Sequence, residues 1–90
     1  MELRQLRYFL KAAETLNFSE ASKALFITQS TLSQQIRQLE RELGVSLFQR
    51  NSHEVLLTEN GEQLLPYARK TIIDADTCVK SVNDIKEVID

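Results

Sequence analysis

Residues 28–43, with the sequence TQSTLSQQIRQLEREL, predict a short helix whose two faces differ in chemistry. Apolar residues recur at the spacing that places side chains on one face of an α-helix. They are Leu32, Ile36, Leu39 and Leu43. Thr28 can cap the first turn, and Gly44 can take the left-handed conformation that ends a helix. Such a short helix is stable only when its apolar face is buried against the rest of the chain.

The opposite face of this helix carries hydroxyl, amide and guanidinium groups and no carboxylate. Its residues are Ser30, Gln34, Arg37 and Arg41, flanked by Thr31, Ser33 and Gln38. Side chains of these types hydrogen-bond base edges in the major groove of DNA, and arginine also binds phosphate. A surface helix that meets only water would show a similar face, so the flanking sequence has to separate the two interpretations.

A second short helix precedes this one and favours the first interpretation. It begins near Ser19, a natural N-cap. Its buried side is predicted to consist of Ala21, Ala24 and Leu25, small enough for a close helix crossing. Only Phe26 and Ile27 separate it from the cap at Thr28. A short helix, a tight turn and a polar-faced helix are the layout of a helix-turn-helix.

A first helix is indicated from Leu3 to about Asn17. Its apolar positions are Leu3, Leu6, Leu10, Ala13 and Leu16, widened by Phe9. Three cations follow one side of it, Arg4, Arg7 and Lys11. These cations form either an edge that faces phosphate or an ordinary solvated face.

The helical spacing ends after Gly44. Apolar residues at Val45, Leu47 and Phe48 are followed by a polar cluster at 51–54, and then by the β-prone run at 55–57. This pattern predicts two short strands joined by a tip, a β-wing. Arg50 and His53 would then lie near the DNA backbone or the minor groove. We interpret His53 as a surface or phosphate contact, because no Cys or His lies near it in sequence.

Residues 59–90 predict one long helix with an apolar stripe, here called the seam, along which it would pack against another helix. Apolar residues alternate steps of three and four over more than three heptads. They are Leu65, Ala68, Ile72, Ala75, Val79, Val82 and Ile89, with Lys86 interrupting the stripe. A helix of this length measures roughly 45 Å. Residues 1–58, which we call the head, are too few to cover all of it. The uncovered part of the seam needs a partner, and a second copy of the chain is the simplest one. Cys78, beside the seam, is expected to be a small buried hydrophobe rather than a redox group.

Charge and composition exclude several classes of protein. The chain has a net charge of −2, but residues 1–58 carry seven Lys/Arg and six Asp/Glu, so the acidity belongs to residues 59–90. A weakly basic head predicts few phosphate contacts and a dependence on dimerisation.

One Cys and one His form neither a disulfide framework nor a structural zinc site, and no catalytic dyad or phosphate loop is present. We expect neither a metal, a cofactor nor an enzymatic activity. No apolar run could span a membrane, and we expect a cytoplasmic protein.

The ordered motifs of the chain closely resemble the N-terminal DNA-binding domain of LysR-type transcriptional regulators. The matching elements are Phe18-Ser19 with Ala21, Thr28-Gln29-Ser30, Leu32-Ser33, Gln35-Ile36, Leu39-Glu40, Leu43-Gly44, Leu47-Phe48 with Arg50, and Leu57-Thr58 with Gly61. The resemblance covers nearly the whole chain. It implies a bacterial, cytoplasmic winged helix-turn-helix that binds an interrupted inverted repeat of double-stranded DNA as a dimer, and allows a tetramer in a full-length protein.

The resemblance also assigns DNA contacts to individual positions. They are Gln29, Ser30, Thr31, Ser33, Gln34 and Arg37, with Arg50 at the wing. Gln29 rests on the resemblance alone. The chain departs from the family where it has Ser30 and Thr31 in place of a frequent Pro or Ala, and Gln34 and His53 in place of a frequent Arg. Two cations are thereby missing from the DNA side.

The predicted architecture is mainly α, a winged helix-turn-helix of three helices and a two-stranded β-wing over residues 1–58, followed by a linker and dimerisation helix over 59–90. The pattern runs to Asp90 without a capping signal, so we expect a fragment of a longer protein whose effector-binding domain lies elsewhere. An alternative hypothesis comes from the acidic balance and the missing cations. In this alternative the chain is a dimerisation or protein-interaction module that no longer binds DNA.

Overall fold

The computed structural model describes residues 1–51 and 54–89, with residues 87–89 described by their backbone alone. Its elements, in chain order, are α1 (Leu3–Thr15), α2 (Phe18–Leu25), α3 (Gln29–Leu43), β1 (Phe48–Arg50), β2 (Val55–Leu57) and α4 (Glu59–Ile89). The two strands pair antiparallel, with Gln49 opposite Leu56. The predicted order of three helices, a β-wing and a long helix is confirmed.

The predicted ends of α3 are confirmed. The Thr28 hydroxyl oxygen accepts a hydrogen bond from the Thr31 N–H at 3.0 Å. At the other end, Gly44 has a φ of 71° and donates its N–H to the Glu40 carbonyl at 2.8 Å. These contacts satisfy backbone groups that a helix terminus leaves without partners.

The start of α2 differs from the prediction. Asn17, not Ser19, is the N-cap, and its side-chain oxygen accepts the Glu20 N–H at 2.9 Å. The helix therefore begins at Phe18, whose ring is buried in the core. On the buried side, Ser22 lies inside whereas Ala24 is exposed. Burial of the Phe18 ring fixes the rotation of this short helix, and Ala24 has too little apolar surface to turn it the other way.

The turn of the helix-turn-helix uses a left-handed residue. Phe26 has a φ of 58°, uncommon for a residue other than glycine, and ends α2. The Ile27 N–H then donates to the Ser22 carbonyl at 3.0 Å, which closes the turn. The Phe26 side chain is 95% exposed and thus contributes almost nothing to the core.

One apolar core joins the three helices of the head to the wing and to the first half of α4. Its buried residues are Leu6, Phe9, Ala12, Phe18, Ala21, Leu32, Ile36, Leu39, Leu47, Phe48, Ala68 and Ile72. Phe48 of β1 meets Phe9 and Phe18 with ring centroids 5.6 and 5.4 Å apart. Leu43, predicted on the apolar stripe of α3, is 41% exposed, because α3 ends there beyond the edge of the core.

A glycine lies at the contact between α4 and the wing. Gly61 is buried in the first turn of α4, where the Leu47 carbonyl occupies the space that a Cβ atom would need. The Thr58 hydroxyl accepts the Gly61 N–H at 3.0 Å and donates to the Ser46 carbonyl at 2.6 Å, so the turn cannot move away easily.

We therefore expect Gly61→Ala to destabilise the domain by about 1–3 kcal/mol, with a Tm lower by at least ~4 °C. Thermal unfolding at fixed protein concentration measures this. Gly44→Ala is the control, since nothing lies within 4 Å of its added Cβ and only the left-handed backbone would cost stability, about 1 kcal/mol. If Gly61→Ala unfolds at the temperature of the parent chain, the close approach to Leu47 is incorrect.

The long helix α4 divides into a covered and an uncovered part. Ala68 and Ile72 pack inside the core of their own head, and the Arg7 guanidinium donates to the Asp76 carboxylate at 2.8 Å. Beyond this point the side chains up to residue 86 are exposed, including Cys78, which was expected to be buried. None of the helices in the described part of the chain combines the length and the hydropathy that a membrane span requires.

Candidate nucleic-acid interface

The predicted contact residues of α3 lie at the surface, on the side away from the core. Gln29, Ser30, Thr31, Gln34 and Arg37 are exposed, and Ser33 is partly buried. Leu32, Ile36 and Leu39 on the other side are fully buried. The helix thus presents one continuous polar face and is fixed to the head through the opposite one.

Most of this polar face is not engaged by the rest of the chain. Among residues 1–51 and 54–89, no hydrogen bond or ion pair involves the side chains of Gln29, Gln34 or Arg37. Thr31 differs, because its hydroxyl oxygen accepts a hydrogen bond from the Thr28 hydroxyl at 2.8 Å as part of the helix cap. Three long side chains with strong hydrogen-bonding groups therefore remain available to a partner.

The neighbouring Gln35 shows the difference between the two faces. It is partly buried, and its side-chain oxygen accepts a hydrogen bond from the Gln5 amide at 3.5 Å. Gln5 is itself 2% exposed, and its side-chain oxygen accepts the Glu2 N–H at 3.1 Å, which helps to begin α1. Gln35 thus stabilises the packing of α3 on α1, whereas the Gln34 side chain has no hydrogen bond to the described residues.

Arg50 is held by two helices. Its guanidinium carbon lies 4.4 Å from the centroid of the Phe18 ring, and its Nη2 lies 4.0 Å from the Glu40 carboxylate. The side chain keeps 27% of its exposure. Burial lowers the pKa of Arg50, the Glu40 carboxylate opposes this, and the charge of Arg37 lowers it further. The pKa of arginine starts so high that the group stays charged. Arg50 is thus a fixed cation near Arg37.

An open groove of about 460 Å³ lies between the helix-turn-helix and the wing. Ser19 at the start of α2, Gln29 at the start of α3, and Asn51 and Glu54 beside the wing tip line it. The Asn51 side-chain oxygen accepts the Glu54 N–H at 2.7 Å. Gln29 therefore faces a recess that the wing also borders. His53, the remaining predicted contact, lies outside the described residues.

Two of the three cations predicted along one side of α1 form ion pairs within the chain. Arg7 pairs with Asp76 of α4, and Lys11 with Glu14 at 3.2 Å. The hydrogen bond between Arg7 and Asp76 raises the pKa of Arg7 and lowers that of Asp76. For Arg7 and Lys11, a solvated face with internal ion pairs therefore fits the structure better than an edge reserved for phosphate, and Arg4 is exposed beside them.

The predicted dimerisation residues fall into two groups. Ala68 and Ile72 are buried in their own head, and Leu65 and Ala75 are partly buried. Val79 and Val82 are 62% and 66% exposed. The side chain of Ile89 lies outside the description. The seam that was predicted as one surface is thus covered by the head at its start and uncovered farther along.

Sequence reasoning missed the partners of Arg50. Phe18 was assigned to the start of a helix and to a family motif, and Glu40 only to a family motif, although both contact this cation. The signal that could have found them is weak, since Phe18 and Glu40 lie 32 and 10 positions from Arg50 and on different elements.

The fold and this polar surface define a winged helix-turn-helix domain of the transcription-regulator class. The model of bacterial regulatory helix-turn-helix proteins of the lysR family matches residues 3–62, and the chain belongs to that family. It is 48% identical over 68 residues to the HTH-type transcriptional regulator HdfR of Salmonella newport, and equally to HdfR of Salmonella typhimurium. The matched part covers 76% of this chain and 24% of HdfR, so the chain spans about a quarter of the length of these relatives.

Solved structures of similar proteins share the fold. A crystal structure of the BenM DBD in complex with catB site 1 DNA has a TM-score of 0.90 and 41% sequence identity, and covers 94% of both chains. The oxidized form of OxyR from Corynebacterium glutamicum has a TM-score of 0.88 and 40% identity, with 90% of this chain and 25% of that chain covered.

Proposed function

We propose that this chain is the sequence-specific DNA-binding module of a bacterial LysR-type transcription regulator. Helix α3 would enter the major groove of double-stranded DNA, with the wing on the backbone or in the minor groove. The observation that carries the proposal is the exposed polar face of α3, where Gln29, Gln34 and Arg37 have no partner among the described residues. The BenM DBD, in the same fold, is in complex with DNA.

The exposed side chains suit different parts of a DNA duplex. Gln29 and Gln34 carry the amide group that pairs with adenine, so we assign them to base edges. Arg37 suits guanine or phosphate, and the short hydroxyls of Ser30, Thr31 and Ser33 suit bases or phosphates next to them. Arg50, fixed at the wing, suits the backbone, and His53 is assigned to the same surface from sequence alone.

Dimerisation through α4 completes the proposal. Val79 and Val82 continue the apolar stripe that begins with Ala68 and Ile72, but the head does not cover them. A second copy of α4 would bury them and place two reading heads on an interrupted inverted repeat. Pairing also compensates for a weakly basic head, since joining two modules raises apparent affinity without new contacts. A full-length protein could assemble further into a tetramer through domains outside this chain.

The remaining parts of the proposal follow from the same role. A regulator of this kind binds chromosomal DNA in the bacterial cytoplasm and needs no catalytic residue. Its named relatives are transcriptional regulators. Whatever effector a longer protein binds would act through a domain other than the one described here.

The decisive experiment selects DNA from a random pool and measures binding by fluorescence anisotropy at several salt concentrations. We expect an interrupted palindrome to be enriched and the affinity to fall steeply with salt. A chain that sediments as a dimer but enriches no sequence and binds without salt dependence would favour the alternative, a protein-interaction module that has lost DNA binding.

Gln29→Ala tests base reading directly. We expect a loss of roughly 1–3 kcal/mol on the selected site and little change on random DNA, since a base contact contributes only where the right base is present. Gln63→Ala is the matched control, because Gln63 is an exposed glutamine on α4, outside the polar face of α3. Equal losses on both DNAs would contradict the role of Gln29.

A further inference from the structure

Glu40 of α3 binds the segment of the chain that connects α3 to strand β1 of the wing. Its side chain is only 16% exposed. One carboxylate oxygen, Oε2, accepts the Leu47 N–H at 2.7 Å and the Phe48 N–H at 3.4 Å. The Ser46 hydroxyl lies 3.3 Å from the same oxygen, but it lies nearer, at 3.0 Å, to the Phe48 carbonyl oxygen and has one proton to donate. The side chains of Leu47 and Phe48 are buried, so water has poor access to these backbone groups. The direction in which the chain enters β1 therefore depends on one carboxylate of α3.

The other oxygen of the same carboxylate faces the wing cation. Glu40 Oε1 lies 4.0 Å from Arg50 Nη2, and the guanidinium stacks on Phe18. Arg50 is thus held from one side by a charge on α3 and from another by a ring at the start of α2. This arrangement connects the wing strand to both helices of the helix-turn-helix.

A carboxylate at this place repels the DNA phosphates, so we expect a structural role that offsets this cost. Glu40 lines a surface groove together with Arg37 and Arg41 of the same helix. Near a polyanion, a negative charge among these cations reduces the attraction that they supply. The contacts with the wing provide the compensation, because they fix a third cation, Arg50, near Arg37.

We infer that Glu40 is a positioning residue for DNA binding. It makes no contact with DNA itself. It acts through Arg50 and the backbone of Leu47 and Phe48, setting the wing against α3 so that Arg37 and Arg50 meet the same duplex. This inference rests on the proposed DNA-binding function.

The first test compares Glu40→Gln with Glu40→Ala and with Glu42→Gln. The amide of Glu40→Gln still accepts the Leu47 N–H but no longer pairs with Arg50. We expect it to unfold near the midpoint of the parent chain and to bind the selected DNA about tenfold more weakly. Glu40→Ala should lose both stability and affinity. Glu42→Gln removes the same charge from a residue of α3 that pairs with the N-terminal ammonium group of Met1 rather than with Arg50, and should bind at least as tightly as the parent.

The second test is a double-mutant cycle with Arg50→Gln, which isolates the coupling between the two residues. If Glu40 acts through Arg50, Glu40→Gln should weaken binding by less than about twofold in the Arg50→Gln background. Losses that multiply in full, or a Glu40→Gln chain that binds as tightly as the parent, would overturn the inference.

A third variant keeps Glu40 intact, in case its substitutions fail to fold. Arg50→Lys preserves the charge but removes the planar group that stacks on Phe18. We expect it to bind about as weakly as Glu40→Gln, and binding equal to the parent would overturn the positioning role. The parent chain separates the two proposals: if it shows no salt-dependent binding, the DNA-binding function itself fails, whereas normal parent binding with unaffected variants rejects Glu40 alone.

Discussion

Replacing Phe48 by alanine should destabilise the domain by about 3–5 kcal/mol, the usual cost of removing a large buried aromatic side chain. Phe48 is 4% exposed and contacts both Phe9 and Phe18. Deleting its ring leaves a cavity where the wing, α1 and α2 meet. A domain of this size has a total stability of only about 5–15 kcal/mol, so the variant should be close to unfolding at room temperature. Urea denaturation followed by circular dichroism measures the change.

Phe26→Ala is the matched control for Phe48→Ala. Both substitutions remove a phenylalanine ring, but Phe26 is 95% exposed. We expect a change within about 0.5 kcal/mol, as for other surface substitutions. Similar losses of stability in the two variants would contradict the structure, in which Phe48 of β1 is part of the core. If Phe48→Ala is as stable as the parent chain, the wing contributes nothing to folding.

The second large effect concerns α4. The double substitution Val79→Asp and Val82→Asp should weaken binding to a palindromic site by at least about 100-fold, since linked modules gain roughly 10²–10⁴ over single ones. Two charges facing a second copy of the helix would have to be buried without partners, so the chain should become monomeric. Binding to an isolated half-site should change less than about twofold. Sedimentation and anisotropy on both DNAs measure these quantities.

The control for this variant carries the same added charge elsewhere on the arm. Thr77→Asp and Ser81→Asp introduce two carboxylates at exposed positions roughly on the opposite side of α4 from Val79 and Val82. We expect this chain to remain a dimer and to keep its palindrome affinity, apart from a small general loss from negative charge. A Val79→Asp and Val82→Asp chain that still sediments as a dimer would show that the copies pair through another surface.

Local sequence patterns predicted the elements because helix spacing and caps are local properties. The alternation around Leu32, Ile36 and Leu39 identified both faces of α3, and Thr28 and Gly44 marked its ends. The same reasoning assigned Ser19 as the cap of α2 and gave Asn17 only to the end of α1. Both residues can cap a helix, and the choice depends on the burial of Phe18, which is a tertiary contact.

The apolar stripe of α4 shows a second limit of prediction from sequence. A seam at heptad spacing looks the same whether it packs on its own head or on another chain. Ala68 and Ile72 therefore looked like Val79 and Val82, although α1 and the rest of the head cover only the first pair. Arg50 was recognised from its place in a motif, but its position between Glu40 and Phe18 required the fold. Contacts between distant elements depend on tertiary packing, which leaves no regular spacing in the sequence from which they could be predicted.

The packing of α4 on α1 has a consequence for the geometry of a regulated promoter. Because Ala68 and Ile72 lie in the core and Arg7 pairs with Asp76, the first half of α4 is fixed to the head, and the helix continues from there to Ile89. In a dimer, the angle at which two such helices cross would set how far apart the two recognition helices stand and how they are phased around the double helix. A promoter whose half-sites fall out of phase could then be bound only by twisting or bending its DNA, at an energetic cost that depends on the sequence between them. Base pairs that the protein never touches would in this way influence which promoters it selects.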